Sequence, residues 1–270
     1  MPAVFLSRRA VFSLGRRLFH PDWSDERNRA SFGRDFGPHG ANYALELVFS
    51  GAISPEDGMI VNIADLKPLI SQLVTPLDGA FLPDSLSHFA SVRPTAENIA
   101  LFLWQHFPPH VGGATLSQLL LEEGARVRVQ KNSHTMIVSR SFEFAAAHRL
   151  ALSDLDDAGN MARFGICSNR AGHGHNFNLS VGVEGAPDPQ TGFIIPPSVL
   201  DKIVDEEVFA RFDHKHLNED CPEFEDKVPT SENLALVIFG ILNGRLEREG
   251  FTLARVHLQE TAKNGFEVTR

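Results

Sequence analysis

Three consecutive residues, His173-Gly174-His175, carry the sharpest chemical signal in the sequence. On a strand, residues two apart point to the same face, so both imidazoles converge. The glycine between them permits close approach of backbone. A third nitrogen would complete a three-histidine set with an open fourth position, the arrangement of catalytic zinc. His148 is the candidate. It ends the apolar run Phe142-Glu143-Phe144-Ala145-Ala146-Ala147 and would lie beside the other two if the two strands form a hairpin. Read alone, a His-Gly-His triplet is more often a plain polar turn.

Cys167 lies six residues before His173. Beside a divalent metal its pKa would fall and it could act as a general base. It could equally be a buried thiol, or a fourth ligand that closes the site. Asp213-His214-Lys215 offers an Asp–His pair able to orient an imidazole for proton transfer; the plainer reading is a helix C-terminus, where His and Lys suit the dipole. Glu260 sits at a strand end, with Lys131 as its expected counterpart in the first half. Thr230 or Ser231 suits a helix N-cap, and Glu232 a first-turn carboxylate favoured by the dipole. His134, His216, His257 and Cys221 show no partner pattern.

The elements that must position these residues are written twice. Pro94-Thr95-Ala96-Glu97-Asn98 returns 135 residues later as Pro229-Thr230-Ser231-Glu232-Asn233. His39-Gly40-Ala41-Asn42-Tyr43 matches His173-Gly174-His175-Asn176-Phe177, Pro55–Ile60 matches Pro189–Ile194, and Leu77-Asp78 matches Phe212-Asp213. Arg126–Gln130 is paired with Arg255–Gln259 in the same way. Two copies are too few for a solenoid, so two domains are expected, 1–133 and 134–270, with the seam near Lys131–Thr135. In the second, Met136–Ala147 and Phe177–Glu184 read as strands. Pro196-Pro197-Ser198 opens a helix through Phe212 with Ser198 as N-cap, and a second helix ending near Gly250 and closing strands at Arg255–Leu258 and Gly265–Val268 follow. The residues Met1–His20 read as the first strand of the other domain. This order is an α+β layer architecture. Only the second copy keeps three imidazoles; the first has Arg16 at the place of His148 and Ala41 at the place of His175, while keeping His39.

Composition narrows the partners. With 25 Lys plus Arg against 34 Asp plus Glu, the 270-residue chain carries a net −9, a poor balance for binding nucleic acid through its backbone. No apolar run is long enough for a membrane span. Two cysteines 54 residues apart make no disulfide framework, which points to a reducing cytoplasm.

Together the second-half motifs resemble the 6-pyruvoyltetrahydropterin synthase / 6-carboxytetrahydropterin synthase family. The resemblance is carried by Phe144–Leu150, Cys167 with His173–Phe177, Thr191–Ile194, Asp213–Asn218, Pro229–Asn233 and Glu260-Thr261, in family order. It implies a tandem T-fold, each domain a four-stranded antiparallel sheet with two helices on one face, the N-terminal copy being degenerate. It implies Zn2+ on His148, His173 and His175, with Cys167 as proton-transferring base and Asp213 and His214 completing a triad. Glu260 would anchor the pterin, with Thr230 and Glu232 as further substrate contacts. The implied reaction converts 7,8-dihydroneopterin triphosphate to 6-pyruvoyl-tetrahydropterin with release of triphosphate. Pyruvoyl-forming members resemble this chain in having five residues between the cysteine and the first histidine, where carboxy-forming members of the queuosine pathway typically have three. Formation of the carboxy product, and a zinc-retaining pterin binder without turnover, are the alternatives. The family shares its triad between neighbouring subunits, and Gly79 stands where the first copy would need a histidine. A homo-oligomer with second copies beside second copies is therefore expected: a trimer of tandem chains, or pseudo-hexamer.

Overall fold

The computed structural model describes residues 4–270. The strand expected within Met1–His20 runs Val4–Arg16; residues 1–3 of that expectation lie outside the described residues. The chain resolves into two compact units. One runs to Ser139 and takes in the later segment Glu184–Pro196; the other comprises Arg140–Val183 and Pro197–Arg270.

In the first unit the strand order is Val127–Lys131, Ala114–Glu123, His39–Gly51, Val4–Arg16, each antiparallel to the next. The alternating burial of His39–Gly51, with Tyr43, Leu45, Leu47 and Phe49 inward, is the period-two pattern of a half-buried strand. The helix Ala96–His106 lies against the strands Ala114–Glu123 and Val127–Lys131, and the helix Ile63–Val74 against Val4–Arg16. In the second unit the order is Asn264–Thr269, Thr252–Thr261, His173–Glu184, Met136–His148. Phe144 and Phe177 stack at 5.3 Å, like their first-unit counterparts Phe12 and Tyr43 at 5.2 Å. The 18-residue helix Ser231–Arg248 packs Leu234, Ile238, Leu242 and Leu246 onto the closing strands. Each such side chain, fully withdrawn from water, contributes about 1.5–3 kcal/mol. Among the described residues no helix is long and apolar enough to cross a membrane.

Three expectations are corrected. The helix expected to start at a Ser198 cap already includes Pro197, because proline lacks the N–H that a cap would satisfy. Its later part is a π-helical turn, Asp205–Phe209, followed by Ala210–Phe212. Arg126–Gln130 is not the counterpart of Arg255–Gln259: the former leads into the last strand of its copy, Val127–Lys131, and the latter lies in the next-to-last. Matching the inward residues Leu116, Leu119 and Leu121 to Leu253, Val256 and Leu258 makes Glu123, not Lys131, the counterpart of Glu260.

Candidate metal centre and its eroded twin

His148 is the last residue of its strand and is 1% exposed. Its Nδ1–H donates to the Pro229 carbonyl at 2.7 Å, which leaves the Nε2 lone pair free. That Nε2 lies 3.2 Å from Nε2 of His173. His173 and His175 share one face of the strand His173–Glu184, with ring centroids 4.8 Å apart. One ring nitrogen from each of the three residues falls within 4.8 Å of the others. His173 Nδ1 and His175 Nε2 are buried without a hydrogen-bond partner. Burial, and after it the neighbouring imidazoles, push His173 and His148 below the ordinary histidine range; in His148 the Pro229 bond opposes this. Three converging imidazoles, with two buried nitrogens left unpartnered, are a donor set for a divalent cation.

Glu260 stands beside this cluster, one carboxylate oxygen 3.6 Å from His175 Nε2. The Ser231 hydroxyl donates to it at 2.6 Å and the Asn264 amide at 3.3 Å. Burial pushes this carboxyl up, but those two bonds and the imidazoles outweigh it and hold it below the usual range. Glu260 is thus a fixed, ionised acceptor. Sequence reasoning missed Ser231 and Asn264, although Ser231 lies inside the repeated Pro-Thr-Ser-Glu-Asn motif.

Asp213 accepts from the Ala145 backbone N–H at 2.8 Å and lies 2.9 Å from His214 Nδ1. Burial pushes Asp213 up, and the Ala145 and His214 bonds more than reverse it. His214 is the single non-glycine with positive φ among the described residues, at 57°, and its side chain is 81% exposed. A bulky residue in the left-handed region is strained and held there by its surroundings; here the His214 N–H donates to the Ala145 carbonyl. Cys167 lies in the 3-10 turn Gly165–Ser168 and is half-buried. Among the described residues, nothing joins it to Asp213 or His214, and the three-histidine cluster does not include it. Thr230 is the cap that accepts from Asn233 N–H at 3.3 Å, and Glu232 is exposed.

The first copy repeats this frame with other chemistry. Arg16 Nη1 donates to the Pro94 carbonyl at 3.0 Å, as His148 does to Pro229. Arg16 Nε lies 3.1 Å from His39 Nε2, in the place of the His148–His173 contact. Its remaining nitrogen pairs with Glu123 at 2.5 Å, and Tyr43 donates to the same carboxylate. A guanidinium has no lone pair to offer a metal, so a permanent cation stands where the other copy gathers ligands. Asp78 keeps its grip, accepting from Ser13 N–H at 3.0 Å. Gly79, with φ 74°, takes the position of His214.

The family profile for 6-pyruvoyl tetrahydropterin synthase matches residues 5–132 and again 137–270. The chain belongs to the 6-pyruvoyl tetrahydropterin synthase family. Its tandem arrangement is that of two such domains in one chain. It is 40% identical over 127 residues to the 6-pyruvoyl tetrahydrobiopterin synthase of Homo sapiens, covering 47% of this chain and 86% of that protein. A putative 6-carboxy-5,6,7,8-tetrahydropterin synthase of Archaeoglobus fulgidus is 32% identical over 135 residues, 50% of this chain and 96% of that one. The solved 6-pyruvoyl tetrahydropterin synthase of Caenorhabditis elegans is 34% identical, with a TM-score of 0.47, covering 50% of this chain and 96% of that one.

Proposed function

We propose that the chain is a zinc-dependent lyase that converts 7,8-dihydroneopterin triphosphate to 6-pyruvoyl-tetrahydropterin and triphosphate. The observation that carries this reading is the convergence of His148, His173 and His175, with His173 Nδ1 and His175 Nε2 buried and unpartnered. These residues would hold the zinc ion, which when bound acts as a Lewis acid toward the side-chain hydroxyls of the substrate. Glu260, ionised and locked by Ser231 and Asn264, accepts from the ring N–H and amino donors of the pterin, with Thr230 and Glu232 as further contacts. Cys167 takes the carbon-bound proton as general base. Asp213 holds His214 by Nδ1 and leaves the exposed edge of the ring to serve a neighbouring copy's site. The spacing of five residues between Cys167 and His173 favours the pyruvoyl over the carboxy product. Two free cysteines suit a cytoplasmic enzyme, and the exposed His214 edge suits a homo-oligomer.

The test is product identification by mass after incubation with 7,8-dihydroneopterin triphosphate. A 6-pyruvoyl product with released triphosphate supports the reading. A 6-carboxy product moves the chain to the alternative branch, and metal content with no turnover reduces it to a pterin binder.

A further inference from the structure

Two turns of the chain are built alike. In Asp188–Ile194, the Asp188 N–H donates to the Phe193 carbonyl at 2.9 Å and the Gly192 N–H to the Asp188 carbonyl at 2.7 Å. In Ser54–Ile60, the Ser54 N–H donates to the Met59 carbonyl and the Gly58 N–H to the Ser54 carbonyl, both at 2.9 Å. Gly192 and Gly58 have φ of 81° and 74°.

Their surroundings differ. The later turn is seated in the first unit. Thr95 Oγ1 donates to the Gly192 carbonyl at 2.7 Å, and the Ile194 N–H donates to Glu97 at 3.2 Å. Phe193 packs on Leu18, Phe32 and Phe36. A Cβ added to Gly192 would stand 2.7 Å from the Asn98 side chain. The earlier turn has none of this cover: a Cβ on Gly58 would meet nothing within 4 Å, and Met59, at the place of Phe193, is exposed.

The receptor is duplicated too, and its second version stands open. Thr95 and Glu97 are buried where the turn sits on them; their counterparts Thr230 and Glu232 are half-buried and exposed. Leu150, Leu155 and Phe164 occupy the places of Leu18, Trp23 and Phe32, and none is fully buried. Met161 and Ile166 beside them are exposed.

We propose that the Ser54–Ile60 turn of one chain seats on Thr230, Glu232 and the Leu150–Phe164 surface of a second chain. An open turn and an open receptor on the same polypeptide, each matching a pair already joined, make a head-to-tail contact that can close into a ring. One oxygen of Glu232 takes the Ile60 N–H and leaves the other for a ligand, so the second copy's site is completed by another chain. The contact sets a first copy beside a second copy, in addition to the second-copy neighbours expected from sequence. Sharing of Asp213 and His214 between second copies then uses a separate contact, such as dihedral symmetry supplies. None of this depends on the identity of the reaction.

Placing the photo-crosslinker p-benzoylphenylalanine at Met59, in a mixture of 15N-labelled and unlabelled full-length chains, tests it. Mixed-isotope cross-links from position 59 to residues 150–166 or 228–233 are expected. Cross-links confined to one chain or mapping to other surfaces would overturn the proposal, as would a solution mass of a single 29.8 kDa chain. In parallel, Met59→Asp should weaken assembly at least about tenfold on dilution, roughly 1.4 kcal/mol, while Met59→Leu leaves it intact. An unchanged mass for Met59→Asp at every concentration would equally overturn it.

Discussion

The two copies hold the same backbone frame around opposite electrostatics. In the second, three imidazoles bring a ring nitrogen each toward one point, and two of their nitrogens are buried without a partner. In the first, Arg16 fills that point with a fixed cation and neutralises it on Glu123. The carbonyls of Pro229 and Pro94 accept from His148 and Arg16 alike, so the difference lies in the side chain that arrives and not in the scaffold that receives it. A buried polar centre must be satisfied somehow. One copy closes its centre internally through an ion pair; the other leaves nitrogens that a metal would satisfy. The Asp-His and Asp-Gly pairs tell the same story. Asp213 and Asp78 each grip a strand N–H, but only the second copy keeps a strained histidine where glycine fits without strain.

The comparison breaks most sharply at the arginine and histidine that share one place. His148→Ala should abolish metal binding and lower turnover by roughly 10³-fold or more, because a three-ligand site loses one of three; retained metal and activity would show the cluster is ornamental to the reaction. Arg16→Ala should leave metal content untouched while destabilising the first unit by about 3–5 kcal/mol, since Glu123 is left largely withdrawn from water without its counter-charge. Chemical denaturation with metal analysis on the same sample reads both.

A smaller effect comes from Glu97. Burial raises its carboxyl to about 7. The folded chain therefore holds a proton that the unfolded chain has lost, so this contribution is full below about pH 4.5 and disappears as pH rises through about 7. The swing is on the order of 3 kcal/mol, and Glu97→Gln should flatten it in a pH series of denaturation midpoints. Smallest of all, His214→Gly should stabilise the second unit by about 0.5–1 kcal/mol by relieving the positive φ while lowering turnover. Stabilisation without loss of rate would remove His214 from the chemistry.

Much of this is legible in the residues because the duplication acts as an internal control. The strand character of Phe177–Glu184, the place of Arg16, and a helix cap at Thr230 or Ser231 all follow from period, offset and cap chemistry; the structure starts the strand at His173 and puts the cap at Thr230. The helices Asp25–Phe32 and Asp157–Phe164 escape a reading of the sequence, although both carry an N-cap (Ser24, Asp156), a buried asparagine bonding back to the preceding loop (Asn28, Asn160) and a closing glycine (Gly33, Gly165). Their faces are too polar and too short for periodicity to register. The mispairing of Arg126–Gln130 arises from composition, since two basic, β-branched runs look alike until inward residues set the register. The Ser231–Glu260 bond joins residues 29 apart, and no local pattern announces such a contact.

The account stands or falls on whether the second copy alone is a metal site. Elemental analysis of the purified full chain, alongside His148→Ala and Arg16→Ala, measures this directly. About one zinc per chain, lost in His148→Ala and kept in Arg16→Ala, is the expected result. No zinc in the wild-type chain, or two per chain, would contradict it.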